Sequence, residues 1–110
     1  MATRAQQREQ SAADALAALG SRTRLRVFKL LVRAGPQGTN IGTIQRMLGI
    51  PATTLGHHLG ALAAAGLVGQ DRRGREVICT ANFRAVGEVL AYVREECCAG
   101  IALDEDSRAA

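Results

Sequence analysis

Three sets of side chains in this 110-residue chain could do chemistry: the thiols Cys79, Cys97 and Cys98, the adjacent imidazoles His57 and His58, and the arginines of Arg72-Arg73-Gly74-Arg75. Thiolates are soft ligands that suit thiophilic metal and metalloid centres, and under oxidant the same thiols can pair. A nucleophilic role is poorly supported. Cys97 and Cys98 follow Glu95-Glu96 at the carboxy end of a helical pattern, where negative charge and the helix dipole disfavour a free thiolate. Metal coordination tolerates that setting, because binding itself displaces the protons. His57 and His58 project from different faces of a helix and cannot easily chelate together. His58 borders the apolar row of Leu55 and Leu62 and reads as a hydrogen-bonded structural histidine, whereas His57 is free to face a partner. The arginines suit phosphate oxygens or a narrow minor groove.

The elements that must position these groups are punctuated clearly around residues 51–75. Pro51 opens a helix at a position that needs no amide donor, and Gly66 ends it where the chain turns left-handed. Leu55, Leu59 and Leu62 form the inner row of that helix. Thr53, Thr54, Gly56 and His57 lie on the outer side near its amino end, placed to meet base edges. Strands at Leu67 to Asp71 and Arg75 to Thr80 then form a hairpin turning at Arg73-Gly74, with Arg72, Arg73 and Arg75 at its tip and Cys79 on its second strand.

Upstream, residues 1–10 lack apolar content and read as a flexible arm. Ser11 is expected to cap a first helix through Leu19, and Ser21 a second with Leu25, Phe28, Leu31 and Val32 inward and Arg22, Arg24, Arg26 and Arg33 largely wet. Ile41, Ile44 and Leu48 mark a short third helix. Downstream, Asn82 can cap a last helix whose Phe83, Val86, Leu90, Val93 and Cys97 form a heptad-like seam, read as a dimer surface. Residues 101–110, with Asp104-Glu105-Asp106, read as a disordered acidic tail. The expected fold is mainly α with a small β-hairpin: a winged helix-turn-helix of about five helices and a two-stranded wing spanning residues 11–100.

Charge divides the same way. Residues 1–75 carry 11 Lys and Arg against 3 Asp and Glu, a net +8, whereas residues 76–110 carry 3 against 7, a net −4. Thirteen of the 14 cations are arginine, whose planar fork fits phosphate and guanine edges. Double-stranded operator DNA is therefore the expected partner of the front half. No apolar run nears the roughly 20 residues of a membrane span, and no signal peptide is evident, so a cytoplasmic location and reduced thiols are expected. A core this small gains from pairing with a second copy, and a homodimer is expected.

Ala18-Leu19-Gly20-Ser21 with Arg24-Leu25, His58-Leu59 with Leu62, Ala65-Gly66-Leu67-Val68 and Gly74-Arg75 together resemble the ArsR/SmtB family of bacterial metalloregulatory repressors from about Ala12 to Gly100. Arg22 stands where that family commonly has proline, and Gly56 where serine is frequent. The resemblance implies a winged-helix homodimer, not an enzyme, that represses an operator and lets go on binding an inducer. Ile44-Gln45-Arg46-Met47 lacks the cysteine pair of one known family site, and the last helix lacks the histidine of another. Glu96-Cys97-Cys98-Ala99-Gly100 resembles the carboxy-terminal cysteine pair of an arsenic-responsive branch, with Cys79 as a replacement for that branch's further thiol. The implied inducer is trivalent arsenic, as arsenite or methylarsenite, held by Cys79, Cys97 and Cys98 with no organic cofactor. Antiparallel pairing of the last helices, which the resemblance suggests, would bring Cys79 of one subunit to the pair on the other. A thiol-redox repressor of the same fold is the alternative.

Overall fold

The computed structural model describes residues 1–102. Five helices and three short strands follow in the order α1 (Arg4–Leu19), α2 (Arg22–Ala34), β1 (Thr39–Asn40), α3 (Ile41–Leu48), α4 (Ala52–Ala64), β2 (Val68–Arg73), β3 (Glu76–Ala81) and α5 (Phe83–Arg94). The winged helix-turn-helix expected from the sequence is thus the fold, with one strand more than expected.

The first helix starts earlier than its apolar content suggests. Thr3 and Gln6 form a reciprocal capping box, the Thr3 hydroxyl accepting from the Gln6 amide and the Gln6 side chain from the Thr3 amide, so the chain is helical from Arg4 and Ser11 lies inside α1. That local signal replaces the expected arm over most of residues 1–10. Two orphan amides at a helix start are satisfied without any core contact. The inward face of α1 is only Ala12, Ala15 and Ala18, small enough for α1 to lie close against its neighbours.

The core gathers Val27, Phe28 and Leu31 of α2, Ile44 of α3, Leu55, Leu59 and Leu62 of α4, and Leu67. Burying each such apolar side chain is worth about 1.5–3 kcal/mol, which makes this cluster the main source of stability. Leu25 was expected inward, but Val27 takes that place and Leu25 is 45% exposed. The α2 stripe is rotated because α4 and β3 both pack on it.

The sheet order is β1-β3-β2, all antiparallel. The additional strand, β1, sets Thr39 opposite Cys79 and Asn40 opposite Ile78. A side chain at position 38 would obstruct this: Gly38 has φ +67°, and a Cβ there would collide with the Cys79 carbonyl oxygen and come 2.6 Å from Thr80 Cγ2. Only glycine fits that approach.

The last helix is shorter than its seam. It ends at Arg94 with Glu95 as cap, so Cys97 is not on α5, and Glu96 and Cys98 both adopt left-handed φ, at +63° and +62°. Within one chain Val89 is the buried residue of α5. Phe83, Leu90 and Val93 are exposed, and Val86 is half-buried. The helix lies antiparallel to α1, tied at its far end by Arg8, whose guanidinium bonds Glu95 at 2.7 Å and covers the Tyr92 ring at 5.2 Å. Asp104-Glu105-Asp106 lie outside the described residues.

Candidate nucleic-acid interface

The segment α3–α4 is a helix-turn-helix with tightly specified ends. Asn40 caps α3 by accepting from the Thr43 amide at 2.7 Å, and Gly49 ends it in the left-handed region. Gly49, Ile50 and Pro51 then redirect the chain into α4. At the far end the Leu67 amide donates to the Leu62 carbonyl at 2.9 Å and the Gly66 amide to the Ala63 carbonyl at 3.0 Å, with Gly66 at φ +77°. This is a Schellman closure, and its accompanying apolar contact is supplied by Leu62 and Leu67, both fully buried.

Those closures fix which face of α4 is free. Leu55, Leu59 and Leu62 are buried as expected, and Thr53, Thr54, Gly56 and His57 are all exposed. A Cβ at Gly56 or Gly60 would meet nothing within 4 Å, so the outer face of α4 is smooth in its middle and polar near its start. Threonine hydroxyls and an imidazole can exchange hydrogen bonds with base edges, and a smooth face permits close backbone approach.

The hairpin presents its cations as the sequence suggests, one residue later. Arg73 pairs with Glu76, so the two-residue turn is Gly74-Arg75, and the positive φ of +65° falls on Gly74 alone. Glycine at the first central position is the requirement of a type II′ hairpin turn. Arg72, Arg73 and Arg75 are exposed, and Arg73 Nε donates to Asp71 Oδ2 at 3.1 Å. The wing is also braced beside its turn, where Asn40 Nδ2 donates to Glu76 Oε1 at 3.1 Å. Asn40 therefore serves both α3 and the wing. Its place just before the Ile41, Ile44, Leu48 repeat is the cap signal that could have identified it.

The thiols separate into two settings. Cys79 is 0% exposed within the central strand of the sheet, and burial pushes its pKa up, opposed by a hydrogen bond to Gln70. It does not join Cys97 and Cys98 in this chain. Those two are exposed just beyond α5, with their Sγ atoms 3.6 Å apart. Among the described residues no three His, Cys, Asp or Glu side chains come together in a metal-binding group.

Known proteins share this arrangement. The helix-turn-helix domain family matches residues 19–70. An ArsR-like transcriptional regulator from Rhodococcus sp. RHA1 superposes with a TM-score of 0.70 at 26% identity, covering 83% of this chain and 82% of its own. An ArsR family transcriptional regulator follows with a TM-score of 0.69 at 21% identity over 87% of this chain and 92% of its own. HlyU from Vibrio cholerae follows at 0.64 and 20%, over 82% of this chain and 95% of its own. No curated protein matches the sequence. The fold is a winged helix-turn-helix similar to that of ArsR-like regulators. Transcriptional regulators share this fold, and in this chain its helix-turn-helix carries the exposed row of α4 and its wing carries the arginines. No helix among the described residues is long and apolar enough to cross a membrane.

Proposed function

We propose that this protein is a homodimeric repressor of the ArsR family that leaves its operator when trivalent arsenic binds Cys97 and Cys98. The observation that carries the inducer is the exposed thiol pair with sulfurs 3.6 Å apart. Soft thiolates favour a thiophilic centre, and two adjacent thiols can chelate one. Because Cys79 is buried in the sheet, it drops from the ligand set unless the strand repacks, and a two-thiolate site remains. Inorganic arsenite takes three thiolates, whereas methylarsenite, with one valence already on carbon, is satisfied by two. Methylarsenite is therefore the preferred inducer.

For the DNA contacts, Thr53, Thr54, Gly56 and His57 read the major groove while Arg72, Arg73 and Arg75 hold phosphates or the minor groove. The exposed seam of Phe83, Leu90 and Val93 supports pairing through α5, next to the thiols. Release requires the inducer to bind the DNA-incompetent state more tightly; a tenfold loss of operator affinity needs about 1.4 kcal/mol of coupling.

Titration of the reduced protein on its promoter duplex tests this. Methylarsenite is expected to release the parent and Cys79→Ser alike, and to leave Cys97→Ser and Cys98→Ser bound. Release of the Cys97→Ser variant would defeat the proposal. The 3.6 Å separation also favours a second reading, in which a peroxide takes two electrons from the pair, joining the sulfurs and yielding two waters. Release by peroxide that dithiothreitol reverses, with no response to methylarsenite, would select it.

A further inference from the structure

Four of the five helices begin with a side-chain cap: Thr3 on α1, Ser21 on α2, Asn40 on α3 and Asn82 on α5. The exception is α4, where Pro51 supplies no side-chain hydrogen bond. The helix carrying the exposed Thr53, Thr54 and His57 row is thus held by Leu55, Leu59 and Leu62, which fix its inward face but, bonding in no preferred direction, leave its fine rotation to be set by other contacts. Among the described residues one side-chain hydrogen bond ties α4 to the rest of the fold. Arg24 Nε on α2 donates to His58 Nδ1 at 3.3 Å, with both side chains half-buried.

The chemistry of that bond has one solution. A guanidinium can only donate, so Nδ1 must be bare, and the ring must be neutral with its proton on Nε2. Arg24 is itself set in place locally, its backbone amide capped by Ser21 Oγ at 3.3 Å. We propose that Arg24 is a positioning residue for DNA recognition: through the neutral ring of His58 it fixes the rotation of α4 about its own axis, and with it the direction of Thr53 and His57. The proposal rests on α4 being the helix that reads DNA. Arg24 therefore differs in kind from Arg72, Arg73 and Arg75, since it acts on the helix and not on a phosphate.

That difference is measurable. Arg24→Met and His58→Leu are each expected to weaken binding to the promoter duplex about tenfold, the scale of one charge-assisted hydrogen bond. The double variant should be no weaker than either single one, because both remove the same bond. His58→Asn, whose Oδ1 keeps an acceptor near the place of Nδ1, should bind within about twofold of the parent. The salt dependence should be unchanged in all of them. Nitrogen-15 shifts of the free protein at pH 8 should show His58 as the Nε2–H tautomer, and the preference should disappear in Arg24→Met. A log–log salt slope flattened by about 0.9 in Arg24→Met would make Arg24 a phosphate contact and overturn the proposal. Additive losses, or an Nδ1–H tautomer in the parent, would overturn it equally. If the parent binds no promoter duplex, the DNA reading fails with it, while the imidazole shifts still decide whether the bond exists.

Discussion

Cys79 and the Cys97–Cys98 pair carry the same functional group in opposite settings. Cys79 lies at the centre of a sheet whose two outer strands both pair with its own strand, shut in by a core that runs from α2 to Leu67. Cys97 and Cys98 sit on a turn after the last helix ends, held by local backbone bonds and, nearby, by exposed contacts from Arg8. Reactivity is decided by that difference in enclosure, not by residue type. A buried thiol behaves as a small hydrophobe, and an exposed vicinal pair is open to ligands.

The most damaging way to test the enclosure is to open it from behind. Gly38→Ala forces a Cβ into the Cys79 carbonyl and requires a left-handed φ of +67°, so it should cost about 3 kcal/mol in urea unfolding and make Cys79 reactive. In the unaltered protein, iodoacetamide should modify Cys97 and Cys98 at least about a hundredfold faster than Cys79, which must wait for the sheet to open. Equal rates for all three would erase the contrast.

Smaller effects follow from titration and from the tether. Burial raises the Cys79 pKa, so above the ordinary thiol value of about 8.5 the unfolded chain gives up a proton that the folded chain keeps. Stability due to that group is full below this pH and is lost as pH rises through the interval up to the folded value, with a slope of at most about 1.4 kcal/mol per pH unit. Cys79→Ala should remove that slope in urea titrations between pH 8 and 10. The smallest change is expected for Arg8→Ala. Its partner Glu95 is exposed, and the loss should appear as faster amide exchange near the start of α1 and the end of α5, with little change in overall stability.

Much of the head could be read from residue order because its signals are local. Pro51, Gly66 and the Leu55, Leu59, Leu62 row each determine a bend or a face without knowledge of distant partners. The sequence reading missed what long-range contacts decide. The strand at Thr39–Asn40 is too short to show alternation and exists because Gly38 lets the chain approach Cys79. The exchange of Leu25 for Val27 depends on where α4 and β3 press on α2. The end of α5 at Arg94 cuts Cys97 from a seam whose spacing continued past it, since spacing alone does not mark where a helix stops. The Arg24–His58 bond joins positions 34 apart, and only the expectation that His58 is a bonded structural histidine anticipated half of it.

The pairing of Thr39 with Cys79 joins the entry of α3 to the strand that returns from the wing, and Asn40 fastens that strand again nearer the turn through Glu76. A hairpin bolted along its second strand to the residues that open α3 cannot swing alone: wing and helix-turn-helix travel as one plate. In the proposed dimer, an inducer bound beyond α5 would have to tilt whole plates against each other, and the spacing between the two grooves they enter would be the quantity it alters.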